Sequence, residues 1–189
     1  MSDWTRRHWE KGGVSSILGL TVSQNAWAVA MFSDLLTDIP PYRIIELGTG
    51  KGGLSILLSL RVPPRHVHTY DLSDFRSGRV VDSHRKLGIQ FHQEDIWTNE
   101  PSIADLISQD GRTWLLCDGG DKTREVETFA QYLKKGDVIG AHDCCPKRDV
   151  WRWHEVDVPR VEEVARRYHL EPTGNQHAEK AAWWLRWMP

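Results

Sequence analysis

The sequence has few cysteines and no long apolar segment. Its 189 residues include three cysteines, Cys117, Cys144 and Cys145, which form neither an even disulfide set nor a spaced zinc quartet. No apolar run approaches the ~18 residues of a membrane span, and the first residues lack the apolar core of a signal peptide. We therefore expect reduced thiols and a cytoplasmic protein that does not engage a membrane.

The sequence also lacks an excess of charge of one sign. Lys and Arg total 24, Asp and Glu total 26, and both signs are interspersed to a formal net charge of −2. Such a chain offers no obvious basic surface to follow a phosphate backbone, which disfavours a nucleic-acid partner. The length fits one buried core, so we expect a single domain over residues 1–189. Nothing in the sequence sets the oligomeric state.

The most informative stretch runs from Tyr42 to Leu58. A β-branched apolar run ends at Glu46-Leu47 and enters a turn with Gly48, Gly50 and Gly52, after which a helical pattern starts. Spaced glycines allow positive φ and a close approach of the backbone to a ligand, and the helix start directs amides at the same space. This stretch predicts a strand, a tight turn and a helix that together bind a nucleotide-like molecule.

Two cofactors compete for this turn. The spacing Gly48-x-Gly50-x-x-Gly53, followed by Asp71, satisfies the dinucleotide fingerprint of NAD-binding enzymes. Glu46 favours the alternative, because a carboxylate there would repel a pyrophosphate but can receive, directly or through water, the ammonium of an amino-acid ligand. S-adenosylmethionine is such a ligand. A glycine-rich turn that binds nothing is the third alternative.

Strand and helix patterns alternate along the chain and predict an α/β fold: a Rossmann-like, doubly wound, mostly parallel sheet with a C-terminal antiparallel hairpin. The predicted strands are 43–47, 67–70, 89–92, 113–117 and 137–141, with a hairpin of 170–174 and 181–187. The predicted helices are 22–36, 53–60, 77–87, 101–108, 125–133 and 158–168. We expect an N-terminal helical segment (1–40), a cofactor-binding core (41–145) and a Trp-rich C-terminal helix and hairpin (146–189).

Four short motifs follow one another in an order typical of one family. They are Ser23-Gln24-Asn25, the turn from Glu46 to Ser55, Asp118-Gly-Gly-Asp121 and Lys135-Gly-Asp-Val-Ile-Gly-Ala-His142-Asp143. Over residues 19–143 the chain resembles the cephalosporin hydroxylase-like and rhamnosyl O-methyltransferase-like group of class I methyltransferases. The resemblance implies a Rossmann-like fold, S-adenosylmethionine binding and, in several members, a divalent metal for O-methylation of a small hydroxylated molecule.

The resemblance also implies cofactor-binding residues. The glycine turn would hold the methionine portion, Asp71 the ribose hydroxyls, and Asp95 with Ile96 the adenine. The full set is Glu46, Gly48, Thr49, Gly50, Gly52, Asp71, Leu72, Asp95, Ile96 and Asp118. Two alternatives remain: Asp71 as a helix N-cap and Asp95 as an exposed loop acid.

Metal and base positions depart from the family pattern. The implied metal ligands are Asp118, His142 and Asp143, with His142 where relatives carry a carboxylate, and the candidate bases are Lys122, Asp121 and His142. Oxygen ligands suit magnesium or manganese, and imidazole shifts the preference away from magnesium. Alternatively, Asp118 caps a turn, His142 is a satisfied loop histidine and Lys122 is a solvated loop cation.

Most of the ten tryptophans are expected to pack in the core or against the sheet. Trp151 and Trp153, flanked by Arg148 and Arg152, can instead form a wall for a planar or sugar acceptor. The preferred function is thus an S-adenosylmethionine-dependent O-methyltransferase of a small-molecule acceptor. The alternatives are an NAD-type oxidoreductase, for which we find no convincing Ser/Tyr/Lys set, and a non-catalytic S-adenosylmethionine-binding protein.

Overall fold

A seven-stranded sheet organises the chain in the computed structural model, which describes residues 16–17, 19–144 and 154–189. The strands are β1 (Ser16–Ile17), β2 (Leu20–Thr21), β3 (Arg43–Leu47), β4 (Val67–Asp71), β5 (Gln90–Gln93), β6 (Thr113–Cys117), β7 (Val138–His142), β8 (Glu171–Pro172) and β9 (Trp183–Trp187). The helices are α1 (Ala26–Asp38), α2 (Gly53–Ser59), α3 (Gly78–Leu87), α4 (Glu100–Ser108), α5 (Lys122–Phe129), α6 (Val158–Arg167) and α7 (Ala178–Ala181). A 3-10 turn, Ala130–Tyr132, follows α5.

The strand order of the sheet is β5-β4-β3-β6-β7-β9-β8. The first five strands in this order are parallel, while β9 runs antiparallel to both β7 and β8. β1 and β2 form a separate antiparallel pair. The predicted Rossmann-like sheet with a terminal antiparallel hairpin is therefore confirmed. Because β3, β4, β6 and β7 are parallel, the loops after them open at one edge of the sheet.

Helices cover both faces of this sheet, which explains why β3 and β6 are buried along their whole length. On one face Phe32 of α1 packs against Trp114 and, edge to face, against Trp183. On the other face Phe129 of α5 and Val161 of α6 belong to a second core with the opposite side chains of β3. This two-sided burial holds the loops at the carboxyl edge on a rigid base.

The helix starts differ from the predicted ones because of capping residues. α1 begins at Ala26, not at residue 22, since the Asn25 side chain accepts a hydrogen bond from the Ala28 amide at 3.0 Å. α5 begins at Lys122, not at residue 125, since Asp121 accepts from the Arg124 amide at 3.0 Å. Both caps lie beside the carboxyl edge of the sheet.

The C-terminal hairpin is also shorter than predicted. Its first strand is reduced to Glu171–Pro172, and its second strand begins at Trp183, because Ala181, the predicted first residue of that strand, is the last residue of α7. Ala182 ends α7 in the left-handed region at φ 60°, and β9 starts directly after it. Among the helices of the described segments, none combines the length and hydropathy of a membrane span. Cys117 and Cys144 are buried, and Cys145 lies outside the described residues.

Candidate active site

A cavity of about 700 Å³ lies at the carboxyl edge of the parallel strands. It is lined by twelve of the residues that the sequence singled out: Glu46, Gly48, Thr49, Gly50, Asp71, Leu72, Asp95, Ile96, Asp118, Asp121, His142 and Asp143. Gly52 and Lys122, which the sequence also singled out, are not among the residues that line the cavity. Gly52, at φ 75°, packs on α3, where an added Cβ would come within 2.8 Å of Val80. The structure thus brings the predicted cofactor and metal positions to one space.

The glycine turn is shaped by two different constraints. A Cβ on Gly48 would lie 2.2 Å from the backbone oxygen of Asp118, so the turn after β3 touches the loop after β6 directly. Gly50 has φ 50°, and a Cβ there would meet nothing within 4 Å. Close packing therefore requires glycine at position 48, while at position 50 glycine is favoured by the left-handed backbone.

Glu46 lies at the bottom of the cavity and is buried. Its Oε2 accepts hydrogen bonds from the Ser55 hydroxyl and, at 2.6 Å, from the Thr69 hydroxyl, which is 2.6 Å from the Thr49 hydroxyl. Burial raises the pKa of Glu46 to about 8, against the effect of the two hydroxyl bonds. When no cation is bound beside it, a carboxyl group with this pKa is mostly protonated at neutral pH. Glu46 therefore repels a pyrophosphate less strongly than the sequence suggested.

Asp71 ties the glycine turn to the loop after β4. Its Oδ2 accepts from the Gly50 amide at 2.9 Å and its Oδ1 from the Ser73 amide at 3.2 Å. The alternative that Asp71 caps a helix is wrong, because α3 begins at Gly78 with Ser77 at its N-cap. The same loop carries Phe75, a cavity residue that sequence reasoning missed.

Asp95 and Ile96 lie beside each other on the cavity wall with Trp97. The Asp95 Oδ1 accepts from the Trp97 amide at 2.9 Å and is partly buried, so it is not an exposed loop acid. Leu72 stands at the rim with 69% of its surface exposed. Ile96, Trp97 and Leu72 give this part of the cavity an apolar lining.

Asp118, His142 and Asp143 form a cluster whose ligand atoms all lie within 4.8 Å of one another. The His142 Nδ1 is 3.0 Å from Asp118 Oδ1 and 3.5 Å from Asp143 Oδ1. His142 is the last residue of β7 and is buried, so it is not a loop histidine. Two carboxylates and one imidazole at this separation are a donor set that fits a divalent transition metal such as manganese.

Neighbouring acids also set the protonation of the imidazole. Burial lowers the pKa of His142, but the carboxylates of Asp118 and Asp143 outweigh it and raise that pKa above its usual value.

Asp143 itself adopts φ 59°, a left-handed conformation that costs a non-glycine residue about 1–2 kcal/mol. Backbone strain of this kind concentrates at functional sites.

Lys122 enters the cluster from α5. Its buried ammonium lies 2.5 Å from Glu155 Oε2, 2.9 Å from the Gly119 carbonyl and 3.2 Å from Asp143 Oδ2. Burial alone would lower the pKa of Lys122, but the adjacent carboxylates, Asp118 first, raise it above its ordinary value. Lys122 is therefore not a solvated loop cation. An ammonium that donates to three acceptors has no lone pair, so Lys122 is the least suited of the three candidate bases.

Three further residues of the site were not predicted. Gln24 is buried and donates to Asp118 Oδ2 at 2.9 Å; it lies in a motif that the sequence had highlighted without a role. Glu125 is buried under the loop after β6 and accepts from the Gly119 and Asp121 amides, and burial raises its pKa to about 7. Glu155 is separated from Lys122 by 33 positions, and no local pattern marks it.

Trp151 and Trp153, predicted as a wall for the acceptor, lie outside the described residues. Asp121, a candidate base, lines the cavity and also caps α5. One cavity is consequently surrounded by Asp71 at the end of β4, the glycine turn after β3, and the cluster of Asp118, His142 and Asp143. The cluster lies at the end of the cavity nearest β7.

Known proteins were compared with this chain at three levels. No family model matches it, and no curated protein matches it. Solved structures do match. CmcI with Mg and SAM is 18% identical with a TM-score of 0.63, covering 93% of this chain and 77% of that one. The apo-structure of CmcI is 16% identical with a TM-score of 0.63, covering 93% and 76%.

A putative O-methyltransferase from Klebsiella pneumoniae is 15% identical with a TM-score of 0.58, covering 86% of this chain and 80% of the other. At such low identities the similarity is one of fold, and it extends over most of each chain. It agrees with the strand order and with the antiparallel β9 described above. The chain therefore has the fold of the S-adenosylmethionine-dependent methyltransferases, as its motifs implied.

Proposed function

We propose that the protein is an S-adenosylmethionine-dependent methyltransferase that methylates a hydroxyl oxygen of a small molecule with the help of a divalent cation. The observation that carries this proposal is the single cavity in which the glycine turn, Asp71 and the Asp118–His142–Asp143 cluster meet. A CmcI structure that matches this fold holds both Mg and SAM. The cavity volume of about 700 Å³ lies within the range of about 300–1,000 Å³ of small-molecule sites.

The cofactor would be held along the carboxyl edge from β3 to β5. Asp71 offers its remaining oxygen lone pairs to the ribose hydroxyls, and Glu46 at the bottom of the cavity receives the ammonium of the methionine portion. Ile96 and Leu72 flank the adenine. Gly50 leaves room for the cofactor where a side chain would intrude, because the direction of its missing Cβ is open.

The cation would be held by Asp118, His142 and Asp143. When bound, a divalent ion lowers the pKa of a hydroxyl group that it coordinates, which makes the oxygen a better nucleophile toward the sulfonium methyl carbon. The chain orients one of these ligands, because the Gln24 amide donates a hydrogen bond to Asp118 Oδ2. With His142 used as a ligand, Asp121 on the cavity wall is the residue placed to take up the acceptor proton.

The deciding experiment is calorimetry of the full chain with S-adenosylhomocysteine and, separately, with NAD. We expect saturable binding of S-adenosylhomocysteine and none of NAD. Labelled S-adenosylmethionine with a panel of catechols, glycosides and polyketides, and with DNA and RNA in parallel, then identifies the acceptor class. Saturable NAD binding without S-adenosylhomocysteine binding would refute the proposal in favour of an oxidoreductase. Label in nucleic acid would refute the small-molecule acceptor.

A further inference from the structure

The ammonium of Lys122 and the proposed cation share the same carboxylates. The Lys122 Nζ lies 3.2 Å from Asp143 Oδ2 and 3.9 Å from Asp118 Oδ1. The His142 Nδ1 approaches the Asp118 Oδ1 as well, at 3.0 Å. Two of the three proposed metal ligands are thus already in contact with a positive charge that belongs to the protein.

The Lys122 ammonium and a divalent cation would repel each other, so this contact affects cation binding. A divalent cation on Asp118 and Asp143 would lie within a few ångströms of the ammonium, in a buried site where charge interactions are weakly screened. Every increase in the attraction of Lys122 to these carboxylates therefore lowers the affinity for the cation. Lys122 is the first residue of α5, so its backbone stays beside the cluster while its side chain decides where the ammonium lies.

Glu155 supplies a competing partner for the ammonium besides the carboxylates of the cluster. Its Oε2 is 2.5 Å from the Lys122 Nζ, closer than either carboxylate of the cluster. The backbone amide of Glu155 donates to the Asp143 carbonyl at 3.2 Å, which keeps this residue beside the cluster. The Glu155 side chain is 42% exposed, so its carboxylate is more solvated than the cluster it faces.

We propose that Lys122 is a built-in competitor of the divalent cation, and that Glu155 sets the cation affinity by drawing the Lys122 ammonium away from Asp118 and Asp143. This inference rests on the cation site of the proposed function. It makes Glu155 a positioning residue that acts through Lys122 and has no contact with the metal.

The test is direct titration of the full chain with Mn²⁺, read by the electron paramagnetic resonance of free Mn²⁺, without any acceptor. Lys122→Met should bind Mn²⁺ about tenfold tighter than the wild type or better, and Glu155→Gln about tenfold weaker. The double variant should bind like Lys122→Met alone, because Glu155 has nothing to act on once the ammonium is gone. Such epistasis separates charge competition from a general structural effect.

A matched control is Glu127→Gln. Glu127 makes a comparable ion pair with Arg160, at 2.6 Å, that links α5 to α6 away from the cluster. Its loss should leave the Mn²⁺ affinity unchanged. Because Lys122 is buried, folding of its variant is checked by circular dichroism and by S-adenosylhomocysteine binding; if it does not fold, Glu155→Gln against Glu127→Gln decides.

Three results would overturn the inference. Equal Mn²⁺ affinity in all variants would show that the ammonium does not compete. A full effect of Glu155→Gln in the Lys122→Met background would show that Glu155 acts on the metal directly. Absence of Mn²⁺ binding in every variant would remove the cation site itself and with it the metal part of the proposed function, whereas S-adenosylhomocysteine binding would still report on the cofactor part.

Discussion

The indole N–H of Trp183 donates a hydrogen bond to Gln24 Oε1 at 3.0 Å, across 159 positions of sequence. This bond fixes which end of the Gln24 amide faces the cavity, so that its Nε2 donates to Asp118 Oδ2. The antiparallel strand β9, which carries Trp183, thereby reaches Asp118 through one buried side chain. A packing strand at the end of the chain consequently helps to orient a carboxylate after β6.

Replacement of Gln24 should therefore disturb both stability and the cluster. Gln24→Met keeps the size but leaves the Trp183 donor without its acceptor, so we expect the free energy of unfolding to fall by about 1–3 kcal/mol. Denaturant unfolding measures it, with exposed Gln131→Met as the control. The double variant with Trp183→Phe should lose less than the sum of the single variants. Strict additivity would mean that the two side chains are not coupled.

Asp71→Asn should weaken S-adenosylhomocysteine binding about ten- to a hundredfold. The reason is the loss of charge-assisted hydrogen bonds to the ribose, worth about 1.5–3 kcal/mol. Calorimetry on the folded variant measures the effect. Asp74→Asn is the matched control, since Asp74 lies in the same loop but pairs with Arg76 at 2.8 Å. Unchanged affinity in the Asp71 variant would exclude this carboxylate from the cofactor site.

Glu46 should make the protein less stable as the pH rises. The pKa of Glu46 is about 8 in the folded chain, and an unfolded glutamate titrates near 4.3. Between these values the folded chain holds more protons than the unfolded chain, so the free energy of unfolding falls with pH, by on the order of 1 kcal/mol per pH unit at most. Below pH 4 and above pH 9 this contribution no longer changes.

Glu46→Gln should remove this contribution, because a neutral amide imitates the protonated carboxyl group. The difference in stability between variant and wild type should accordingly shift in favour of the variant from pH 5 to pH 8. Glu163→Gln, which changes an exposed acid paired with Arg167, serves as the control. A difference that stays constant over this range would place the folded pKa of Glu46 near its unfolded value of about 4.3, below the range.

Chelation should abolish methyl transfer and leave cofactor binding intact. The cluster of Asp118, His142 and Asp143 would hold the proposed cation, while the other proposed cofactor residues lie at the ends of β3, β4 and β5 and in the loops after them. With its imidazole ligand, the enzyme should be at least as active with manganese as with magnesium. The measurements are label transfer after EDTA and readdition of metal, and label transfer by Asp143→Asn. Full activity after EDTA and in Asp143→Asn would exclude a metal from the mechanism.

The parts of the fold that were predictable from the sequence are those with a strong local pattern. The bounds of β3 and β6 were predicted because each is a short apolar run between turn residues, buried on both faces. The start of α1 was wrong because the predicted helix ignored Asn25, whose side chain caps it. The strand predicted at 170–174 is present but shorter, because the length over which β8 pairs with β9 is set by tertiary packing.

The residues of the candidate site also differ in how far the sequence predicted them. Glu46 and Asp71 lie at the carboxyl ends of predicted strands, and parallel strands bring these ends together at one edge of the sheet. Gln24 is 94 positions from Asp118, and Glu155 is 33 positions from Lys122. Contacts over such distances depend on how helices and loops pack on the sheet, and no periodicity in one sequence encodes them.

The contact between Gly48 and Asp118 has a last consequence. Besides the close approach at Gly48, the Asp118 amide donates to the Leu47 carbonyl at 2.8 Å, so the turn after β3 and the loop after β6 are joined by backbone atoms alone. In the proposed methyltransferase, main-chain atoms would therefore set the distance between a cofactor in the glycine turn and a cation in the cluster. Substitutions of the side chains that line the cavity would leave this distance unchanged.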